Sequence, residues 1–229
     1  MEYRNLHPWN VTPKEAIEIQ KVLRSHLILD KAPEKADLIA GVDVSADRGS
    51  NLLFAAVVVL DSRQKAADTF QVSEVATASE MTPFPYIPGL LSFREIPVVL
   101  KAWEKLKIRP DCLVCDGQGI AHPRRIGIAS HLGLVVDMPS IGCGKTRLIG
   151  LHQAPGPGRG DRAPLIDRQE VIGAVLRTKE KVAPLYVSQG HRMTLDRAVE
   201  ILLSCQTRYR LPEPTRIAHN LVNQFRRAA

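Results

Sequence analysis

The stretch that decides the fold runs from Asp111 to Arg147 and reads DCLVCDGQGIAHPRRIGIASHLGLVVDMPSIGCGKTR. It opens with a short apolar run, Cys112 to Cys115, and Asp116-Gly117-Gln118-Gly119 follows at once. An apolar run of this length before a glycine-rich segment predicts a buried strand that ends at a carboxylate. Open α/β sheets carry their chemistry at that carboxyl-terminal end of the strands.

The remainder of this stretch predicts a helix and then a second strand. A helical pattern runs from about Arg124 to Leu132, with His122 just before it, and Gly133 is expected to end the helix. The apolar run from Leu134 to Val136 then predicts a strand, which leads to a second glycine-rich loop ending in Lys145. An acid at one strand end and a base at the other suggest chemistry on a phosphate.

Composition narrows the class of protein. The 229 residues are enough for one well-buried domain spanning 1–229, or at most two small ones. The formal charge of +7 favours a polyanionic partner, although a mildly basic enzyme with no nucleic-acid role fits it equally well. We find neither 18 uninterrupted apolar residues nor a signal-peptide pattern, so we expect a cytoplasmic protein without a membrane partner. We also expect a monomer.

The amino-terminal third predicts a helix followed by an antiparallel meander. Thr12 caps a helix that runs to about Leu29, and a strand follows from Leu38 to Ser45. Further strands are expected at Leu52 to Leu60 and at about Ala66 to Ala76, with a turn at 47–50. Because no helix-sized gap separates these three strands, we expect them to pair antiparallel.

The first strand contains an acid at an unusual place. Strand alternation puts Val42 and Val44 on one face, and Gly41, Asp43 and Ser45 on the other. A carboxylate inside an apolar strand is costly unless it is paired or bound to a metal. The alternative is an aspartate that faces water on an edge strand.

A proline-rich loop and a helix follow the meander. The loop, Thr82 to Gly89, contains three prolines and cannot be a helix or a central strand. It presents Tyr86 at its centre, as a wedge for a base stack would, or as an ordinary packed surface loop. The next helix has Ser92 and Glu95 in a capping-box pattern, so Glu95 could be only a cap.

The carboxyl-terminal part predicts more strands and helices. Strands are expected at Val171 to Leu176 and at Leu185 to Ser188, and helices from Thr194 to about Leu203 and from Thr215 to about Arg226. The whole order predicts an α/β fold: a mixed sheet of three antiparallel strands and then parallel strands, flanked by helices.

Two motifs are misleading. Gly142-Cys143-Gly144-Lys145-Thr146 ends like a phosphate-binding P-loop, but the first glycine of that motif would fall on Pro139 and no long helix pattern follows. Cys112 and Cys115 have the spacing of zinc ligands, yet on a strand they point to opposite faces. We interpret the cysteines as buried apolar residues.

Three acids on separate elements are candidates for a metal site. Mg²⁺ prefers a few carboxylate oxygens together with water and phosphate oxygens, and Asp43, Glu95 and Asp116 would meet that need if they converge. Such a metal polarises a scissile phosphate and lowers the pKa of an attacking water. Lys145 would pair with the charge that develops in the transition state.

Several motifs resemble the endonuclease V family, in order and over nearly the whole chain. They are IAGVD at 39–43, PYIPGLLSFRE at 85–95, DGQGIAHPR at 116–124, ASHLG at 129–133, VSQGHR at 187–192 and RLPEPTR at 210–216. The resemblance implies a ribonuclease-H-like fold. It also implies Mg²⁺-dependent nicking, with Mn²⁺ as a substitute, of DNA at deoxyinosine and other deaminated bases. The implied cut lies at the second phosphodiester bond 3′ to the lesion and leaves 3′-hydroxyl and 5′-phosphate ends.

The resemblance also implies roles for individual residues. Asp43 and Asp116 would be metal ligands with Glu95 as a third acid, and His122, Lys145 and His219 would lie near the scissile phosphate. The implied wedge is Tyr86, with Ile87 and Pro88 beside it, and the glycines that would let the backbone approach the flipped base are Gly89, Gly119 and Gly127.

Other residues are less certain on sequence alone. Asp111 matches a family acid near the site, with a supporting role as the alternative. His131 is interpreted as a helix cap, and His191 as structural. Gln118 and the 142–146 run are less typical of the family, and the latter could alter the pocket wall.

Three alternatives stay open at this stage. The same chemistry could act on inosine-containing RNA, since the 2′-hydroxyl is what distinguishes the two substrates. A non-catalytic nucleic-acid-binding protein could keep the fold, although the presence of Asp43, Glu95, Asp116 and Lys145 argues against it. A junction-cutting nuclease is disfavoured by the proline-tyrosine wedge.

Overall fold

A computed structural model of the protein describes residues 1–47, 49–66 and 69–229. It contains a sheet of eight strands in the order β3-β2-β1-β4-β5-β8-β7-β6. The strands are β1 (Leu38–Ala46), β2 (Leu52–Ala66), β3 (Thr69–Met81), β4 (Cys112–Cys115), β5 (Ser140–Gly144), β6 (Arg162–Asp167), β7 (Glu170–Leu176) and β8 (Leu185–Gln189). The helices are α1 (Pro13–Arg24), α2 (Leu91–Trp103), α3 (Ile128–Val136), α4 (Leu195–Ser204) and α5 (Glu213–Ala228).

The sheet is mixed, as the sequence predicts. β1, β2 and β3 pair antiparallel as a meander, and β4 and β5 then continue parallel to β1. The last three strands extend the sheet antiparallel, since β5 pairs with β8, β8 with β7 and β7 with β6. Because β1 lies between β2 and β4, Asp43 is on a central strand and not on an edge.

Helices cover both faces of the sheet. The core that α2 and α3 form against β1 and β2 contains Trp103, Leu132 and Val57, all of them inaccessible to solvent. On the opposite face, α4 and α5 pack over β1, β2, β4 and β5. Cys112 belongs to this second face and Cys115 to the first, which confirms that the two thiols point apart.

The predicted helix at 124–132 is displaced and the predicted strand at 134–136 is wrong, because α3 runs from Ile128 to Val136. Gly133 lies inside α3, where Ser140 and the Cβ of His191 pack so closely that a side chain would collide with them. The helix ends at Asp137, whose φ of 49° is left-handed and whose N–H bonds to the carbonyl of Gly133. Gly133 therefore allows close packing against α3 and does not end the helix.

Several helix ends also differ from the prediction. The capping box at Ser92 and Glu95 is wrong, because α2 begins at Leu91 and both side chains lie inside it. Thr215 is likewise inside α5, where its hydroxyl bonds to the carbonyl of Pro212. The capping box of Thr12 is confirmed, although α1 ends at Arg24 and not near Leu29.

Parts of two predictions lie outside the described residues. They are Arg48, in the predicted turn, and residues 67–68, near the predicted start of the third strand. Among the residues that are described, no helix is long and apolar enough to cross a membrane.

Candidate active site

Three adjacent parallel strands bring charged residues together at one edge of the sheet. Asp43 is near the end of β1, Asp116 directly follows β4, and Lys145 directly follows β5. The register pairs Val42 with Cys115, and the Asp116 N–H donates to the carbonyl of Val42 at 3.1 Å. The Lys145 ammonium contacts the Asp116 carboxylate. The acid and the base of the sequence prediction therefore meet, although α3 separates their strands and the segment at 134–136 is not a strand.

Helix α5 adds a histidine to this edge. Gly41 allows the approach, because a Cβ at that position would collide with the backbone carbonyl of Pro214. One turn further along α5, His219 Nδ1 lies 2.8 Å from Asp43 Oδ2. Its Nε2 lies 3.3 Å from the amide nitrogen of Asn223, which can only donate, so Nδ1 carries the proton and donates it to Asp43.

The carboxylates repel one another in a place with little solvent. Burial and then the charge of Asp116 raise the pKa of Asp43, although the hydrogen bond from His219 and the charge of Lys145 act in the opposite direction. Burial and then the charge of Asp43 raise the pKa of Glu95 to about 8, and Asp116 contributes in the same direction. Clustered carboxylates with raised pKa values are typical of functional sites.

This donor set fits a divalent cation. Asp43, Asp116 and His219 each offer one ligand atom, and these atoms lie within 4.8 Å of one another. Carboxylate oxygens are the ligands that Mg²⁺ and Mn²⁺ prefer, and a cation here would relieve the repulsion between the two aspartates. Sequence reasoning names Glu95 as the third acid. The structure places Glu95 close enough for the charges of both aspartates to act on its pKa, and it places His219 in hydrogen-bond contact with Asp43.

A cavity of about 510 Å³ opens beside these charges. Tyr86 stands at its edge with 68% of its surface exposed. The walls come from five segments of the chain. Lining residues include Asp43, Pro88, Gly89, Leu91, Ser92, Glu95, Asp116, Gln118, His122, Gly127, Ile128 and Lys145.

The proline-rich loop is anchored behind Tyr86. Gly89 has a left-handed φ of 82°, and its carbonyl accepts from Arg124 Nη2 at 2.7 Å, His122 Nε2 at 2.9 Å and Gln20 Nε2 at 3.1 Å. Ile87 packs into a small core that includes the buried ring of Phe84. The loop is therefore held on both sides of an exposed tyrosine.

His122 lies in the cavity wall with both ring nitrogens engaged. Nε2 donates to the carbonyl of Gly89, and Nδ1 accepts from the N–H of Arg124 at 3.2 Å. Burial and then the charge of Arg124 lower the pKa of His122 to about 4, so the ring is neutral near pH 7. In this arrangement the imidazole positions the loop that carries Tyr86.

Gly119 and Gly127 meet a packing requirement within the protein. A Cβ at Gly119 would collide with the carbonyl of Gln189, and one at Gly127 with the carbonyl of Gln118. The two glycines also bond to each other, Gly127 N to Gly119 O at 2.8 Å. Of the two, Gly127 lines the cavity.

Sequence reasoning misses two residues that support the site. Gln20 is 1% exposed and bonds to both Gly89 and Arg124. Its signal is a polar side chain on the buried face of α1, one turn from Ala16. Arg210 donates to the carbonyl of Lys145 at 3.0 Å, a contact across 65 residues with no local signal.

Three other sequence interpretations concern residues away from these charges. Asp111 lies at the opposite end of β4 and accepts the N–H groups of Asp37 and Leu38 at 2.8 and 2.9 Å, so its role is structural. The interpretation of His131 as a helix cap is wrong, because this ring is fully buried in the middle of α3. His191 bonds to Asp137 at 3.2 Å, in keeping with a structural role.

Comparisons with known proteins identify the family. A family model described as Endonuclease V matches residues 21–220. The chain belongs to the endonuclease V family. It is 50% identical to endonuclease V of Myxococcus xanthus over 221 residues, which cover 96% of this chain and 92% of that one. The protein is thus an endonuclease, a hydrolase of phosphodiester bonds.

Solved structures of other family members superpose closely. Endonuclease V of Streptomyces avermitilis aligns with a TM-score of 0.89 at 42% identity, covering 96% of this chain and 95% of that chain. Endonuclease V of Ciona intestinalis, in complex with a 24-mer DNA containing an inosine followed by a ribo-adenosine, aligns with a TM-score of 0.79 at 26% identity. That alignment covers 94% of this chain and 98% of the Ciona chain.

Proposed function

We propose that this endonuclease V family member is a Mg²⁺-dependent DNA repair endonuclease. It nicks DNA at the second phosphodiester bond 3′ to deoxyinosine and other deaminated bases, and leaves 3′-hydroxyl and 5′-phosphate ends. The observation that carries the proposal is the placement of Asp43 and Asp116 beside Lys145 and next to a cavity edged by an exposed tyrosine. The Ciona relative, crystallised with inosine-containing DNA, supports the choice of substrate.

In this proposal Asp43 and Asp116 hold the metal, with Glu95 and His219 beside them. When bound, Mg²⁺ polarises the scissile phosphate and lowers the pKa of the attacking water. His219 keeps Asp43 in place by donating from Nδ1. Glu95 becomes a ligand or a proton acceptor once a cation offsets the burial and the carboxylate repulsion that raise its pKa.

Lys145 serves as the counter-charge of the reaction. Its ammonium contacts Asp116, and its side chain is one-third exposed, so it can reach a phosphate that enters the site. A fixed cation next to the scissile group stabilises the negative charge that develops on the phosphate oxygens. Arg210 supports this position, because it donates to the backbone carbonyl of Lys145.

The cavity and the proline-rich loop account for lesion recognition. A base must leave the stack to be read by its hydrogen-bonding edge, and a cavity of about 510 Å³ is large enough for one base. Tyr86 fills the gap left in the stack, flanked by Ile87 and Pro88, while His122 and Arg124 hold the loop through Gly89.

The experiment uses end-labelled strands with one central deoxyinosine, prepared as DNA and as RNA with inosine. Each is incubated with Mg²⁺, with Mn²⁺, with EDTA and with the Asp116→Ala variant, and the cut is mapped on a sequencing gel. We expect a nick in DNA at the second bond 3′ to the lesion, in both metals but not in EDTA or with the variant.

Two outcomes would replace this proposal. Cutting of RNA alone would make the protein an inosine-specific endoribonuclease. Binding without a cut in either metal would make it a non-catalytic nucleic-acid-binding protein that keeps the fold.

A further inference from the structure

Three side chains from distant segments form a continuous hydrogen-bonded chain beside the cavity. His7, in the amino-terminal segment, has its Nε2 2.7 Å from the Nε2 of His131 in α3. The Nδ1 of His131 lies 3.0 Å from the hydroxyl of Ser92 in α2. The rings of Trp9 and Phe93 pack around His131, with centroids 5.4 and 5.2 Å away.

The donor and the acceptor of each hydrogen bond in this series of side chains follow from the bond that His7 makes at one end of it. His7 Nδ1 lies 2.8 Å from the carbonyl of Pro8, and a carbonyl can only accept, so Nδ1 carries a proton. In a neutral His7 the Nε2 is then an acceptor, and the Nε2 of His131 must donate to it. Burial lowers the pKa of His131 well below its usual value, so this ring is neutral as well. Its Nδ1 therefore accepts, and Ser92 donates.

The last member of the chain lies in the cavity wall. Ser92 lies on α2 together with Leu91 and Glu95, and all three residues line the cavity. A hydroxyl has one proton to donate and two lone pairs that accept. Because the proton of Ser92 points to His131, the oxygen can offer only a lone pair to a ligand.

We propose that Ser92 is a specificity-determining residue whose oxygen accepts a hydrogen bond from the ring N–H of the extruded base, and that His131 and His7 are positioning residues that fix this polarity. The inference rests on the proposed function and deepens it. Deamination of adenine changes N1 from an acceptor into an N–H donor. A wall that offers only an acceptor therefore favours hypoxanthine over adenine, because it leaves adenine N1 facing a lone pair.

The hydrogen bonds between His7, His131 and Ser92 can be tested without any substrate. Long-range ¹H–¹⁵N correlation spectra of the protein labelled with ¹⁵N-histidine distinguish the two neutral tautomers. We expect His7 with its proton on Nδ1 and His131 with its proton on Nε2. The reverse tautomers, or a protonated His131 at pH 7.5, would overturn the inference whatever the enzyme cuts.

The specificity role is tested by binding in EDTA, so that it does not depend on cleavage. Fluorescence anisotropy gives the Kd for strands with deoxyinosine and for strands with 2′-deoxynebularine, whose N1 is an acceptor. Wild-type protein should prefer deoxyinosine, and Ser92→Ala should lower that preference by about 5-fold, the effect of one neutral hydrogen bond. Equal losses on both strands, or no change, would contradict the role.

Two further variants distinguish the direction of the Ser92–His131 hydrogen bond from the packing around His131. Ser130→Ala removes a buried hydroxyl next to His131 that has no hydrogen-bond partner in the described part of the chain, and it should leave the preference unchanged. His131→Phe keeps an aromatic ring but frees the proton of Ser92, so it should lower the preference as Ser92→Ala does. A preference unchanged in His131→Phe would exclude the positioning role. A protein that binds as expected but does not cut would disprove the proposed function and leave this inference standing.

Discussion

The two ends of β4 carry the same residue type in opposite situations. At the amino-terminal end, Asp111 accepts two backbone N–H groups and so ties β4 to the start of β1. At the carboxyl-terminal end, Asp116 faces Asp43 and Glu95, and burial followed by the repulsion among these acids raises the pKa of both partners. One carboxylate is satisfied by backbone N–H groups, whereas the other lies in a cluster of three acids and contacts the Lys145 ammonium. The end of a parallel strand at which an aspartate lies therefore distinguishes a structural role from a role in the chemistry.

Lys145→Ala should have the largest effect of the three variants that sharpen this comparison. Removal of the ammonium leaves the developing phosphate charge without its fixed counter-charge, so the rate of the cleavage step should fall about 10²- to 10³-fold. Single-turnover kinetics on deoxyinosine DNA would measure it. Lys105→Ala, which removes an exposed lysine that donates to the carbonyl of Thr77 on β3, is the matched control. A similar loss in both variants would show that the carboxyl-terminal edge is not special.

Glu95→Gln tests whether burial and the neighbouring aspartates disfavour the charged form of Glu95 in the folded protein. The pKa of Glu95 is raised to about 8, so the folded protein binds a proton that the unfolded chain releases above about pH 4.5. The stability contributed by that proton is complete below pH 4.5 and is lost as the pH rises through 8. In EDTA, Glu95→Gln should therefore be more stable than wild type by about 4 kcal/mol at pH 8.5, since each pKa unit is worth about 1.4 kcal/mol. The difference should vanish at pH 4.5.

Denaturant unfolding of the two proteins across this pH range measures the effect. Glu104→Gln, an exposed carboxyl just beyond the end of α2, serves as the control and should show no such window. A pH-independent difference for Glu95→Gln would show that burial and the neighbouring aspartates do not raise the pKa of Glu95.

Tyr86→Ala should have the smallest effect on chemistry, because the ring is largely exposed at the cavity edge. Loss of one stacking contact should reduce the preference for deoxyinosine over undamaged DNA about 10-fold. The single-turnover rate at saturating protein should stay within about 3-fold. Competition binding measures the preference, and single-turnover cleavage measures the rate. An equal loss in both would show that Tyr86 does not act on lesion recognition separately from cleavage.

Much of the site could be predicted from sequence because its main residues lie at strand ends. The apolar runs before Asp116 and around Asp43 are local signals, and parallel pairing then brings their ends together. The proline-rich loop is equally visible in the sequence, since three prolines exclude regular structure. Lys145 follows a strand, as the sequence predicts, but that strand is β5 and not the segment at 134–136.

The failures have a common physical cause, which is contact between residues distant in sequence. Gly133 is small because Ser140 packs against it, and nothing within its own helix distinguishes it from a helix-ending glycine. His131 is buried by partners that include the amino-terminal segment, 124 residues away at His7. Ser92 looked like a helix cap because only the local pattern was available, and its actual partner is on another helix.

The most direct test of the account compares Asp116→Asn with Asp111→Asn. Both substitutions remove one negative charge from β4 and keep the size of the side chain, and the asparagine oxygen can still accept the backbone bonds made at position 111. We expect Asp116→Asn to lose Mg²⁺-dependent cleavage of deoxyinosine DNA by at least about 10³-fold, a loss of the order seen when a principal catalytic group is removed. Asp111→Asn should stay within about 3-fold of wild type. Full activity in Asp116→Asn, or an equal loss in both variants, would contradict the assignment of the active site to this edge of the sheet.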